Sequence, residues 1–97
     1  MIEESKLAAE VDAKRVYWHS RRGMLELDLI LVPFVEQLYT TLTEELQNDY
    51  KALLECEDTD IYAWLMLRGE PAEPKLQAMV QRIVQHAQQH RSKPKTL

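Results

Sequence analysis

The sequence predicts an all-α protein, a compact five-helix bundle in a single domain. Three observations carry that prediction. The chain has 97 residues, the length of one domain. Its apolar residues recur at helical spacing, and no stretch alternates convincingly with period two. It holds only 2 Gly and 4 Pro, so the connections between helices are short. Order is expected over about residues 5–90, with 91–97 a polar, flexible tail that carries Pro94.

The first helix is expected from about Ser5 to His19, with Leu7, Val11, Lys14 or Arg15, and Trp18 on one thin stripe. Arg21-Arg22-Gly23 breaks it, because Gly23 accepts a turn conformation that other residues resist. The second helix runs from about Met24 to Tyr39. Met24, Leu27, Leu31, Phe34, Val35 and Leu38 form its broad face, and Leu25, Leu29 and Val32 form a second apolar stripe. A helix with two such stripes is central in its bundle or offers one of them to a partner. Pro33 cannot donate to the Leu29 carbonyl and is expected to bend the helix.

Thr43 is a good N-cap for the third helix, and Glu44 and Glu45 suit the positive end of its dipole. Leu46, Tyr50, Leu53 and Leu54 are its core face. Asp58 is read as the N-cap of the fourth helix, which packs Ile61, Trp64 and Leu65 and ends at Gly69, with Pro71 behind it. The fifth helix begins near Pro74, a suitable first residue, and carries Leu76, Met79, Val80, Ile83, Val84 and Ala87 inward.

Composition narrows the functions. A net charge of −4 and a pI near 5.3 weigh against nucleic acid as a partner, despite a small basic group of Lys14, Arg15, Arg21 and Arg22. No apolar run approaches the ~18–20 residues of a membrane span, since Glu26, Asp28 and Pro33 interrupt the longest, Leu25 to Val35. The acidic start, Met1-Ile2-Glu3-Glu4-Ser5, is unlike a signal peptide, and the lone Cys56 fits a reducing compartment. A cytoplasmic bacterial protein is expected, monomeric when free.

No catalytic constellation appears. There is no Gly-rich phosphate loop, no paired-cysteine motif and no evident Ser/His/Asp arrangement. Cys56 sits among Glu55, Glu57 and Asp58, which disfavour a reactive thiolate. His86 and His90 have the spacing of a metal pair but no third ligand, so they are read as solvated surface. The acidic run from Glu55 to Asp60 lacks the ligand spacing and central glycine of a calcium loop. Trp18 and Trp64 are read as core or half-buried packing residues.

The run Arg22-Gly23-Met24-Leu25-Glu26 is the most informative segment. Arg22 and Glu26 are four apart, so they can meet as a surface ion pair. The alternative is a recognition patch, in which Gly23 lets another backbone come close, Arg22 offers a planar fork and Glu26 accepts from a partner's donors.

These residues resemble a known family. Arg22-Gly23-Met24-Leu25-Glu26 matches the Arg-Gly-x-x-Glu motif of the SdhE-type FAD assembly factors of succinate dehydrogenase. Trp18 stands before the motif at the family's distance, and Leu27-Asp28 and Pro33-Phe34 follow it. The segments Leu53-Leu54-Glu55-Cys56-Glu57-Asp58 and Trp64-Leu65-Met66, then Gly69 and Pro71, also resemble the family. The likeness runs from about Arg15 to Ile83. The acidic stretch before Val11 is longer than is typical, and the tail after Ala87 matches nothing.

The resemblance implies a compact five-helix chaperone rather than an enzyme. It implies docking on the flavoprotein subunit of succinate dehydrogenase, or of the related fumarate reductase, and covalent attachment of FAD to a histidine of that partner. FAD then belongs to the partner, and the chain is expected to hold no cofactor or metal. Carried over position by position, Arg22, Gly23, Met24 and Glu26 form the centre of the contact, with Arg15 and Asp28 at its edge. An antitoxin-like or regulatory protein-binding module is the alternative. A redox or metal role for Cys56 or the histidine pair is a third, and it predicts that Glu26→Ala is harmless.

Overall fold

Five helices form in the computed structural model, which describes the backbone of residues 2–92 and the side chains of residues 8–89. They are α1 (Ile2–Ser20), α2 (Leu25–Leu38), α3 (Glu44–Leu54), α4 (Asp58–Leu65) and α5 (Pro74–Ser92). A 3-10 turn, Tyr39–Thr41, follows α2. No strand occurs among the described residues. Of the flexible tail expected over 91–97, Arg91 and Ser92 instead continue the backbone of α5, while residues 93–97 and the side chains of Leu7 and His90 lie outside the described residues.

The central helix is α2, packed on α1 at one side and on α5 and α4 at the other, while α3 lies along α5. Leu27, Leu31, Phe34 and Val35 are buried as their spacing predicts, and Ile30 joins them. Phe34 stacks on Tyr50 of α3 at 5.5 Å between ring centroids, and Tyr39 meets the same ring edge-on at 6.1 Å. From α5, Leu76, Met79, Val80 and Ile83 close the core. The chain passes through Pro33 without ending α2.

Local signals explain most boundaries. Thr43 caps α3 as expected, its hydroxyl accepting from the Leu46 amide at 3.2 Å. The start of α4 differs from the sequence reading. Glu57 is its N-cap, and Asp58 is its first helical residue, its carboxylate turned to Arg22 rather than to the helix amides. The end of α4 differs too. The helix stops at Leu65, four residues before Gly69. The Leu67 amide donates to the Trp64 carbonyl at 3.0 Å and the Arg68 amide to the Ala63 carbonyl at 2.8 Å. That is the Schellman pattern, with Leu67 at φ 62° in the place where glycine is usual.

A left-handed leucine costs ~1–2 kcal/mol. Its side chain is exposed, so little packing offsets that cost. Leu67→Gly is therefore expected to stabilise the fold by ~0.5–1 kcal/mol after the greater freedom of an unfolded glycine is counted. Urea titration at neutral pH measures it, and a lower midpoint would contradict it.

The first helix departs furthest from its predicted face. Val16 and Ser20 are the buried residues of its described part, whereas Val11 and Trp18 are exposed. Polar links take over where apolar contact is thin. The Ser20 hydroxyl donates to the Val16 carbonyl and lies 2.7 Å from the Tyr50 hydroxyl. The Asp12 carboxylate accepts from the Tyr39 hydroxyl at 2.6 Å and pairs with Lys51 at 2.8 Å, joining α1, the 3-10 turn and α3.

The hydrogen bond from Lys51, then that from Tyr39, hold the Asp12 carboxyl below the usual carboxylate range. A depressed carboxyl contributes stability that is full above its ordinary value and is lost as pH falls through the folded one. The stability gap between the wild type and Asp12→Asn is thus expected to be constant above about pH 5 and to close below about pH 4. Thermal melts across that range test it. A gap that widens in acid would assign the stabilisation to another group.

Candidate partner-binding turn between the first two helices

The motif occupies the corner where α1 ends and α2 begins. Gly23 sits at φ 83°, a left-handed conformation that reverses the chain between the two helices. A Cβ built there meets nothing within 4 Å, so the outer side of the turn is open. Met24 is the N-cap of α2 in extended conformation, and its carbonyl accepts from the Asp28 amide at 2.9 Å. Its side chain packs against the core.

Arg22 does not meet Glu26. Its Nε donates to the Asp58 carboxylate at 2.7 Å, its Nη1 to the His19 carbonyl at 3.0 Å and its Nη2 to the Cys56 carbonyl at 3.2 Å. The side chain is 11% exposed. Asp28, expected at the edge of a partner contact, accepts from the Arg22 amide at 2.7 Å and so braces the turn from within. The physical reason is proximity in space. The α3–α4 turn brings Cys56 and Asp58 beside a cation that a helical wheel places next to Glu26.

Of the six residues singled out from the sequence, Gly23, Glu26 and Arg15 face outward. Glu26 and Arg15 form no hydrogen bond or ion pair with a described residue. Beside them lie large apolar side chains without cover: Leu25 is 68% exposed, Leu29 65% and Trp18 64%. The second apolar stripe of α2 is therefore offered outward, with Val32 half-buried beneath it. The Arg21 guanidinium lies 5.5 Å over the Trp18 ring, a cation–π contact that keeps the indole at the surface. One turn beyond Glu26, Ile30 lines an apolar depression of ≈ 180 Å³ with Leu65, Leu67 and Val84. Leu67 had no signal in the sequence, since its exposure follows from the unusual end of α4.

The other candidates resolve as structure. Burial, with Asp60 and Glu73 nearby, pushes the Cys56 thiol up, away from a reactive thiolate. His86 corrects the reading of a solvated histidine. It is 6% exposed, edge-on to Phe34 at 5.6 Å, with Nε2 3.2 Å from the Gln37 side-chain oxygen. Among the described residues no group of three His, Cys, Asp or Glu could hold a metal, and no helix is long and apolar enough to cross a membrane.

The result is a small helical fold with a hydrogen-bonded glycine turn beside exposed leucines. The chain belongs to the family described as the flavinator of succinate dehydrogenase, whose model matches residues 14–87. It is 52% identical over 82 residues to a Pseudomonas aeruginosa protein named FAD assembly factor SdhE, covering 84% of this chain and 98% of that one. A Pseudomonas putida protein of the same name is 47% identical over 88 residues, covering 91% and 98%. The Vibrio cholerae protein so named is 49% identical over 72 residues, covering 74% and 84%. These names are those of assembly factors rather than of enzymes.

Proposed function

We propose that this chain binds the flavoprotein subunit of succinate dehydrogenase and promotes the covalent attachment of FAD to it. The observation that carries the reading is the exposed Gly23 turn, with Glu26 exposed and Leu25 and Leu29 bare beside it, in a chain whose relatives are named for FAD assembly. Leu25 and Leu29 stand four apart on α2 and so share one exposed face, and a contiguous apolar face of this kind is a mark of a protein contact.

The chemistry lies in the partner. Attachment needs the flavoprotein's histidine, the flavin and the polarising groups held in one geometry. A rigid body that binds this arrangement better than the others raises its population by that difference in affinity. On this reading Gly23 lets the partner's backbone approach, Glu26 accepts from its donors, and the leucines supply apolar area. Arg15 lies at the rim. On this reading FAD is attached to the partner, the chain itself holds no cofactor, and the free chain works as a cytoplasmic monomer.

The direct test mixes the purified protein with the apo flavoprotein subunit, FAD and a dicarboxylate. Covalent flavin fluorescence is then followed on a denaturing gel, with Glu26→Ala beside the wild type. Faster attachment with the wild type alone supports the reading. Equal rates with and without the wild type, and no complex between the two proteins, would sink it.

A further inference from the structure

Arg22 looks, by sequence, like the residue most ready to grip a partner, yet its donors are turned inward. They reach three groups: the last turn of α1, the α3–α4 turn and the first residue of α4. Its backbone amide is held as well, by Asp28 of α2. The residue just before Gly23 is thus tied at both its main chain and its side chain, while the turn's outer side stays open.

We propose that Arg22 is a positioning residue, and that Asp58 and the α3–α4 turn complete the same device. They hold the Gly23 turn in its left-handed conformation and so fix where Glu26 and Leu25 stand, without Arg22 touching the partner. The proposal rests on the docking function given above and deepens it.

Three physical points support it. Glycine has the widest backbone freedom of any residue, so a turn built on Gly23 keeps one shape only if its neighbours fix it. Swinging the guanidinium out to a partner would break three hydrogen bonds and leave the Asp58 carboxylate without its cation. Ordering a loose turn on binding weakens association, and bracing it beforehand removes that loss. The pair spans 36 positions in sequence, so α4 takes part in docking although it carries none of the motif.

The test titrates the apo flavoprotein subunit of succinate dehydrogenase with wild type, Asp58→Ala, Asp58→Asn and Glu26→Ala, each shown by thermal melt to be folded at the working temperature. Asp58→Asn keeps a side-chain oxygen that can accept from Arg22 Nε, whereas Asp58→Ala does not. Asp58→Ala is expected to raise Kd by roughly tenfold, and Asp58→Asn to stay within about threefold of wild type. Amide exchange at Gly23 and Met24 of the free protein should quicken in Asp58→Ala and not in Asp58→Asn. Wild-type affinity in Asp58→Ala overturns the proposal, because the brace then does nothing for docking. Equal losses in the two Asp58 variants also overturn it, because the partner then reads the charge itself. If the wild type fails to bind, the docking function fails instead. The exchange data then decide alone, with unchanged exchange at Gly23 in Asp58→Ala overturning the brace and faster exchange supporting it.

Discussion

Gly23→Arg is expected to abolish docking on the apo flavoprotein, raising Kd by at least ~100-fold, while the helical fold persists. The two halves of that outcome have separate causes. The turn holds Gly23 at φ 83°, and an L-residue there costs ~1–2 kcal/mol. A domain of this size has ~5–15 kcal/mol of stability in hand. At about 4–8 °C per kcal/mol, the melt falls but stays well clear of the binding temperature. No neighbour opposes the new side chain from within, since a Cβ at Gly23 meets nothing within 4 Å. On the proposed docking, the arginine projects into the space that the partner's backbone would occupy. Loss of a central contact of this kind is worth 2 kcal/mol or more, and ~2.8 kcal/mol corresponds to 100-fold. Calorimetric titration and circular dichroism on one preparation measure both halves. Gly23→Ala separates them further, because it carries nearly the same backbone strain with one added methyl. Its melt should resemble that of Gly23→Arg and its affinity that of the wild type. Equal loss of affinity in the two variants would mean that the turn's shape, not its clearance, is what the partner needs.

The elements that were legible in the sequence are those governed by local chemistry. Thr43 declared the start of α3, Pro74 that of α5, and the spacing of Leu27, Leu31, Phe34 and Val35 declared the face that α2 buries. The outward stripe of Leu25 and Leu29 was legible for the same reason. What escaped depends on partners distant in sequence. Arg22 pairs with Asp58 and not with Glu26 because the α3–α4 turn arrives beside it, and no window around the motif contains that turn. The face of α1 was misplaced because Asp12 and Ser20, polar residues, make its inward links, while Trp18 stays out under Arg21. Leu67 in a glycine conformation runs against local preference, so propensity pointed to Gly69 instead. In the site itself, the motif could be found but its labour could not be divided. Gly23, Glu26 and Arg15 face outward, while Arg22 and Asp28 hydrogen-bond within the fold and Met24 packs partly against the core.

Phe34→Ala is expected to be the most damaging single change in the core, at ~3–5 kcal/mol. Phe34 is fully buried in the C-terminal half of α2 and meets rings from both α3 and α5. Its ring stacks on Tyr50 of α3 at 5.5 Å and 29° between planes, and it meets His86 of α5 edge-on at 5.6 Å. Truncation removes the ring's transfer energy and leaves a cavity that two large neighbours on different helices cannot both move to fill. It also unseats the Tyr50 ring, whose hydroxyl lies 2.7 Å from the buried Ser20 hydroxyl at the end of α1, two residues before Arg22. The damage should therefore reach the Gly23 turn. The melt is expected to fall by well over ~10 °C, from ~4–8 °C per kcal/mol. Affinity for the flavoprotein, measured where the variant is still folded, should weaken as well. Phe34→Leu keeps much of the volume and the apolar contact, so it should recover most of the stability. Were Phe34→Ala to cost less than ~1 kcal/mol, the core would not be organised around α2, and the rigid presentation of the Gly23 turn would need another source.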